Sequence, residues 1–124
     1  MKNILIIEDV EDHLEIVKLI LEQHGYNILV ATTGLEGLNC ARSNSPDLVI
    51  LDVVLPEMNG YEVCKEIKNG PETRAIPVIM LSVRSNPEDI ETAYKAGANK
   101  YITKPFNLED LIKEVKKHLG EEQS

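Results

Sequence analysis

The chain has 124 residues and a formal net charge of −8, with 21 acidic side chains against 13 basic ones and no tryptophan. Its length suits a single domain that buries roughly two thirds of the surface exposed by its unfolded chain. The acidic balance argues against nucleic acid or an anionic membrane as a partner, and the apolar segments are too short to cross a bilayer. No segment at the N-terminus resembles a signal peptide, so we expect a cytoplasmic protein.

Five short apolar segments recur along the chain, and each is followed by a segment with helical periodicity. The predicted strands are residues 3–7, 27–31, 48–51, 78–81 and 100–102. Residues 48–51 have no alternation of polar and apolar side chains, which is typical of a strand buried on both faces at the centre of a parallel sheet.

The helical segments carry recognisable start signals. Thr33 and Glu36 fit a capping box, Asn86-Pro87 combines a cap residue with proline at the first helical position, and Asn107 is a suitable cap for the last helix. The apolar side chains that recur at helical spacing are Leu14, Val17, Leu21, Leu35, Leu38, Val63, Ile67, Ile90, Ala93, Tyr94, Leu108, Leu111, Ile112, Val115 and Leu119. In the fourth helix we expect Ile90, Ala93 and Tyr94 to face inward.

Five strand–helix units in succession predict an α/β fold, with right-handed crossovers onto a five-stranded parallel sheet. If the helices cover both faces, the sheet is doubly wound and the order of its strands reverses at one point. The crevice at that point, outside the carboxyl ends of the strands, is the expected ligand site.

Polar side chains follow four of the predicted strands. Glu8-Asp9 follows the first, Asp52 the third and Ser82 the fourth, while Lys104 comes shortly after the fifth. Three of the four have an ordinary alternative: Glu8-Asp9 as a helix start with Asp9 as the cap, Ser82 as a strand-end hydroxyl and Lys104 as a surface lysine. Because the strands are expected to be parallel, however, these side chains should converge on one edge of the sheet.

Three carboxylates in a partly desolvated cleft repel one another, so a divalent cation is expected among them. Carboxylate and carbonyl oxygens suit Mg²⁺, which leaves coordination positions open for a phosphoryl oxygen. A metal ion, the Lys104 ammonium and the Ser82 hydroxyl would offer one partner to each equatorial oxygen of a transferring phosphoryl group. Asp52 would be the nucleophile, and a cis bond before Pro105 would be one way to turn Lys104 back over the sheet edge.

The same residues belong to motifs that are specific in combination. They are Ile6-Ile7-Glu8-Asp9, residues 47–52 with Leu55-Pro56 and Gly60, residues 77–82, Gly97-Ala98, and residues 101–106. On these motifs the sequence resembles a response-regulator receiver domain over residues 1–119, with a polar tail at residues 120–124. The resemblance implies strand order 2-1-3-4-5 and transfer of a phosphoryl group to Asp52, assisted by Mg²⁺, from a phosphohistidine on a sensor histidine kinase or phosphotransfer protein.

The resemblance also implies a role for individual residues. The implied metal ligands are Asp9, Asp52, the Val54 backbone carbonyl and, through water, Glu8. The implied contacts of the phosphoryl group are Ser82, Lys104 and the Val83 backbone, and the implied switch residues are Ser82 and Tyr101. A downstream protein, or a second copy of the domain, would bind the surface of the fourth helix, fifth strand and fifth helix through Tyr94, Lys95, Tyr101 and Phe106. Such a domain is not a conventional enzyme, because it phosphorylates itself once and loses the group slowly.

Two other function classes fit the sequence less well. A flavodoxin-like cofactor binder would have a glycine-rich phosphate loop after the first strand, where this chain is acidic. An aspartate-dependent phosphatase resembles an arrangement with two aspartates two residues apart after the first strand, and Asp9-Val10-Glu11 does not supply it. Incubation with a small phosphodonor and Mg²⁺ separates the three classes by stoichiometric labelling, turnover or no reaction.

Overall fold

The computed structural model describes residues 1–121. The five strands are β1 (Asn3–Ile7), β2 (Asn27–Ala31), β3 (Leu48–Leu51), β4 (Val78–Ser82) and β5 (Lys100–Thr103). The five helices are α1 (Glu11–Gln23), α2 (Gly34–Asn44), α3 (Gly60–Asn69), α4 (Pro87–Lys95) and α5 (Leu108–His118). The predicted succession of five strand–helix units is confirmed. Among residues 1–121, no helix is both long enough and apolar enough to span a membrane.

All four strand pairings are parallel, and the sheet order is β2-β1-β3-β4-β5. Side chains of α2, α3 and α4 pack on one face of the sheet, and those of α1 and α5 pack on the other. The predicted doubly wound fold is therefore confirmed. The chain moves outward from β1 to β2 and then returns past β1 to β3, so the strand order reverses between β1 and β3.

The central strand β3 is fully buried, as its sequence predicts, and its register places Ile50 between Ile6 of β1 and Ile79 of β4. These three isoleucines are at most 2% exposed. A strand with apolar side chains on both faces can be stable only where helices cover both faces, and this burial is what fixes the position of Asp52 immediately after it.

The predicted helix starts at Thr33, Asn86 and Asn107 are present, and each side chain accepts a hydrogen bond from a backbone N–H in the first turn. At the start of α1 the alternative with Asp9 as the cap is wrong. Val10 occupies that position and has no side-chain cap. Instead, Glu8 Oε2 accepts a hydrogen bond from the Val10 N–H at 3.1 Å, so the first carboxylate of the acidic pair holds the start of α1.

Two side chains at helical spacing are more exposed than the pattern suggests. Tyr94 was expected to face inward but is 43% exposed, because its hydroxyl accepts a hydrogen bond from the Tyr101 N–H on the edge strand β5 at 3.1 Å. Leu108 is 52% exposed because it is the first residue of α5, at the mouth of a surface cavity. Both residues lie near the end of a helix, at the surface of the molecule. Helical periodicity in the sequence does not indicate this exposure.

The predicted polar tail at residues 120–124 extends beyond the described part of the chain. The Glu121 carboxylate accepts a hydrogen bond from the Tyr26 hydroxyl at 2.8 Å. Burial and the nearby Glu121 carboxylate raise the pKa of Tyr26 to about 12. The first residues after α5 thus contact the base of the sheet, on the side opposite the acidic edge.

Candidate functional site

Four of the predicted site residues meet at the carboxyl edge of the sheet. Glu8 follows β1, Asp52 follows β3, Ser82 ends β4, and Lys104 follows β5 directly. Glu8, Asp52 and Ser82 are buried, and only 8% of the Lys104 side chain is exposed. Since β1 and β3 flank the point of strand reversal, the two carboxylates lie at the crevice where such sheets bind ligands.

The Lys104 ammonium lies at the centre of this group. Its Nζ is 2.5 Å from Glu8 Oε1, 3.2 Å from Asp52 Oδ2 and 2.9 Å from His13 Nδ1. The Lys104 N–H donates to the Ser82 carbonyl at 2.8 Å, and the Lys104-Pro105 peptide bond is cis. Lys104, one residue beyond the edge strand, places its charge beside the carboxylates that follow the two strands β1 and β3.

The surroundings of the Glu8 carboxylate disfavour its charged form. Burial is the main cause that raises the pKa of Glu8 above its ordinary value, and the nearby Asp52 charge adds to it. The hydrogen bonds from Lys104 and from the Val10 N–H oppose this rise without cancelling it. The charge of this cluster therefore depends on the cation that faces Glu8.

Asp52 is held on both carboxylate oxygens. Oδ1 accepts a hydrogen bond from the Val54 N–H at 3.1 Å, and Oδ2 faces Lys104. The Asp52 N–H donates to the Ile7 carbonyl at 3.1 Å, which continues the β1–β3 pairing by one residue. These contacts leave the carboxylate one orientation, with Oδ2 toward the ammonium.

Gly60 supports Asp52 from the start of α3. A Cβ on Gly60 would lie 2.2 Å from the Asp52 carbonyl oxygen and 2.7 Å from the Val53 Cα. The Gly60 N–H donates to the Val53 carbonyl at 2.8 Å. The loop between β3 and α3 can close this tightly only because residue 60 has no side chain.

Asp9, predicted as a metal ligand, does not join the inner group. Asp9 is exposed. In the described chain, the possible ligand atoms that lie within 4.8 Å of one another come from Glu8, His13 and Asp52. Val54 is also exposed, and its N–H is used by Asp52. The structure thus brings Glu8 and Asp52 together and places Asp9 at the rim.

The charges and donor types fit a divalent cation nonetheless. Glu8, Asp9 and Asp52 supply three carboxylates, and Lys104 supplies one ammonium, so negative charge remains in excess at this edge. Carboxylate oxygens are the donors that Mg²⁺ prefers, and an exposed Asp9 leaves room for the waters that this ion keeps. The sequence prediction of a magnesium site is therefore compatible with the donor set.

His13 is a member of the cluster that the sequence reasoning missed. It lies four residues before Val17 on the face of α1 that packs on the sheet, so its place on the apolar stripe was readable from the spacing. What the spacing could not show is that Lys104 reaches its Nδ1.

The predicted switch residues lie beside the cluster. Ser82 Oγ accepts a hydrogen bond from the Arg84 N–H at 3.3 Å, and the Tyr101 hydroxyl donates to the Arg84 carbonyl at 2.7 Å. Tyr101 is only 8% exposed. Its ring lies inside, beneath the loop between β4 and α4.

The four residues of the predicted partner surface differ in their exposure to solvent. Tyr94 and Lys95 are exposed, with Lys95 Nζ 2.8 Å from Glu91 Oε1, and Phe106 is half-buried. Tyr101 contributes little area because of its inward position.

Comparisons with known proteins agree with this geometry. The family model of the response regulator receiver domain matches residues 4–116. The chain is 36% identical over 120 residues to the polar-differentiation response regulator DivK of Brucella ovis, an alignment that covers 97% of this chain and 98% of DivK.

Solved structures give the same result. A putative response regulator from Chloroflexus aurantiacus superposes with a TM-score of 0.92 at 34% identity, covering 96% of this chain and 98% of that one. The receiver domain of a sensor histidine kinase from Pseudomonas aeruginosa, which has a magnesium ion coordinated in its active site cleft, superposes with a TM-score of 0.90 at 27% identity, covering 96% and 98%. Sequence, fold and the grouping of Glu8, Asp52, Ser82 and Lys104 lead to one conclusion: this chain belongs to the response-regulator receiver domain family.

Proposed function

We propose that this receiver domain accepts a phosphoryl group on Asp52 from the phosphohistidine of a sensor histidine kinase or phosphotransfer protein in the cytoplasm. The observation that carries the proposal is the buried Asp52 carboxylate at the point of strand reversal, with Oδ2 3.2 Å from the Lys104 ammonium. A carboxylate that is oriented and faces a cation is suited to attack phosphorus and to form an aspartyl-phosphate.

In this reaction a carboxylate oxygen of Asp52 forms the new bond to phosphorus. The phosphorus–nitrogen bond to the donor imidazole breaks, and its electron pair leaves with that nitrogen. Lys104 and Ser82, with the Val83 backbone, would balance the charge on the oxygens of the transferring group. One phosphoryl group is taken up per chain, so the domain is a stoichiometric acceptor and not a turnover enzyme.

Asp9, Asp52 and the Val54 carbonyl would hold Mg²⁺, with Glu8 acting through water. When bound, the ion would neutralise charge on the transferring phosphoryl oxygens. The protein's own contribution is to keep Glu8 and Asp52 buried and to leave Asp9 at the rim.

We expect Mg²⁺ to raise the melting temperature, because it binds the folded acidic edge and not the unfolded chain. At ten times its dissociation constant the gain is about 1.4 kcal/mol of unfolding free energy. Asp9→Asn should remove most of this response, and Asp12→Asn, an exposed acid in the first turn of α1, should leave it intact. Thermal melts over millimolar Mg²⁺ measure it, and an unchanged wild-type melting temperature would exclude a functional metal site.

The surroundings of the site suit a protein as the phosphodonor. A cavity of about 450 Å³ beside Lys104 is lined mainly by apolar side chains, among them Ile16, Val83, Phe106 and Leu108. Ile16, Val83 and Leu108 are each more than half exposed. An apolar rim next to a buried acceptor favours approach by a folded partner that covers the rim.

We further propose that phosphorylation changes the surface of α4, β5 and α5, which a downstream protein or a second copy reads. Two hydrogen bonds support this proposal: the Tyr101 hydroxyl and the Ser82 hydroxyl both contact the backbone of Arg84 in the loop before α4. Engaging Ser82 with a phosphoryl oxygen would therefore move the loop that also holds Tyr101.

Backbone NMR shifts with beryllofluoride should extend from Asn86 to Phe106, and shifts confined to the loops around Asp52 would refute this switch.

The acceptor function is tested by incubating the protein with a small phosphodonor, with and without Mg²⁺. The proposal expects incorporation that rises toward one phosphoryl group per chain and needs Mg²⁺. Continuous release of phosphate far beyond the amount of protein would show a phosphatase instead, and no incorporation under either condition would contradict the proposal.

A further inference from the structure

We infer that His13 is a positioning residue for phosphoryl transfer, which acts by holding the Lys104 ammonium in the direction that serves Asp52. The inference rests on the proposed function of Asp52 as acceptor and adds a residue to it. His13 lies in the first turns of α1, outside the acidic pair and outside the strand ends that carry the other site residues.

The contact between the two side chains has only one possible polarity. Lys104 Nζ lies 2.9 Å from His13 Nδ1, and a lysine ammonium can donate hydrogen bonds but has no lone pair with which to accept one. Nδ1 is therefore the acceptor in this contact, and the Lys104 ammonium is the donor. His13 Nδ1 also lies 3.6 Å from Glu8 Oε1, which places both acceptors on the same side of the ammonium.

Lys104 has three N–H donors and three acceptors around them. The contacts to Glu8 Oε1 and His13 Nδ1 are 2.5 and 2.9 Å long, and the contact to Asp52 Oδ2, at 3.2 Å, is the longest of the three. The two short hydrogen bonds fix the orientation of the ammonium group, and this orientation sets the direction of the third N–H. Here that direction is toward the Asp52 carboxylate.

Phosphorylation of Asp52 replaces the longest of the three hydrogen bonds, the one from Lys104 to Asp52 Oδ2. When Asp52 Oδ2 forms or flanks the new bond to phosphorus, the third N–H can turn to a phosphoryl oxygen while the bonds to Glu8 and His13 remain. Without His13, one of the two fixed bonds is lost and the ammonium can rotate or lean toward Glu8. Phosphoryl transfer then becomes slower, because a misplaced ammonium charge stabilises the developing oxyanion less well.

The fold keeps His13 in place from both ends. The first turn of α1 is held by the bond from the Val10 N–H to Glu8 Oε2, so the same glutamate anchors both the helix and the lysine. Val17, one turn further on, is buried against the sheet at 3% exposure. The His13 side chain itself is 40% exposed, so a substitution there should not disrupt the core.

The test uses two substitutions with matched shape. His13→Asn keeps an acceptor on the atom that branches from Cγ, whereas His13→Leu has a methyl group at the same branch. With a small phosphodonor and Mg²⁺, His13→Leu should lower the maximal rate of Asp52 labelling by about tenfold, the loss expected for one hydrogen bond to a charged group. His13→Asn should stay within about twofold of the wild type, and the donor concentration for half-maximal rate should change little in either variant.

The matched control is His24→Leu, which replaces an exposed histidine at the end of the same helix. It should leave the maximal rate unchanged. A second readout needs no activity: the ¹⁵N signal of the Lys104 ammonium should be sharp in the wild type and in His13→Asn, and broadened or shifted in His13→Leu.

The outcomes separate this inference from the proposed function. If the wild type is labelled and His13→Leu is labelled equally fast, or if Asn and Leu slow labelling to the same extent, the positioning role is overturned. If the wild type is not labelled at all, the acceptor function fails, and the Lys104 ammonium signal still decides whether His13 orients the lysine: an identical signal in all variants overturns the inference.

Discussion

Lys104→Met should lower the free energy of unfolding at pH 7 by about 3 to 5 kcal/mol, the cost of removing one partner from a buried ion pair. The side chains of Lys104, Glu8 and Asp52 are 8%, 6% and 7% exposed, so solvent screens their charges little. Methionine fills much of the same volume without the charge. The variant therefore isolates the electrostatic role of the ammonium, which is to offset two carboxylates that face each other.

The loss should depend on pH in a defined direction. The pKa of Glu8 is already raised in the folded protein by burial and by Asp52, and removing Lys104 removes a group that lowers it. A carboxyl group whose pKa is higher in the folded state than in the unfolded state favours folding most when it is protonated. Its contribution is fully present below the unfolded pKa and is lost as pH rises through the folded pKa. Lys104→Met should therefore be closest to the wild type in acid and furthest from it at neutral pH.

Urea unfolding of both proteins across this pH range gives the measurement. Glu8→Gln in the Lys104→Met background should recover part of the lost stability at pH 7, because only one carboxylate then remains without a partner. Lys113→Met, at an exposed position on α5, is the control and should change stability little. A Lys104→Met protein as stable as the wild type at pH 7 would show that the buried charges are not coupled as the structure indicates.

Gly60→Ala should destabilise the fold by about 3 kcal/mol or more, because overpacking against backbone atoms cannot be relieved by a change of rotamer. The new Cβ would meet the Asp52 carbonyl oxygen at 2.2 Å, the Val53 Cα at 2.7 Å and the Asp52 carbonyl carbon at 2.9 Å. The loop from β3 to α3 would have to open, and Asp52 would move with it. We therefore expect phosphoryl acceptance to fall together with stability.

Gly34→Ala is the matched control, since Gly34 is also the first residue of a helix. There the new Cβ would meet side-chain atoms of Val63 and Met58, at 2.8 Å and 3.2 Å, and side chains can shift. Thermal or urea unfolding should rank Gly60→Ala well below Gly34→Ala. Equal losses for the two variants would mean that the contact with the Asp52 backbone is not the cause.

The fold was predictable from the sequence because its signals are local and mutually consistent. The buried strand at residues 48–51, the caps at Thr33, Asn86 and Asn107, and the alternation of strand and helix each follow from short-range chemistry. Parallel pairing then brings the ends of the strands to one edge, which is why the sequence alone predicts the grouping of Glu8, Asp52, Ser82 and Lys104. The strand order itself came from the resemblance to the family and not from the pattern.

The internal arrangement of the site was less accessible, since it depends on how far side chains reach. Lys104, the residue after the edge strand β5, reaches across the end of the sheet to contact Glu8. It also contacts His13 of α1, which no spacing rule connects to residue 104. The exposure of Asp9 beside a buried Glu8 follows from the turn into α1, whose start at Val10 has no side-chain cap. The inward ring of Tyr101 depends on the backbone of a loop, which sequence periodicity does not describe.

Mapping the modified residue shows directly whether Asp52 is the phosphoryl acceptor. The protein is incubated with a small phosphodonor and Mg²⁺, reduced with borohydride, which converts an aspartyl-phosphate to homoserine, and analysed as peptides by mass spectrometry. We predict conversion at residue 52 of the wild type and no conversion anywhere in Asp52→Asn. Conversion at Glu8 or Asp9, or labelling that persists in Asp52→Asn, would show that Asp52 is not the acceptor.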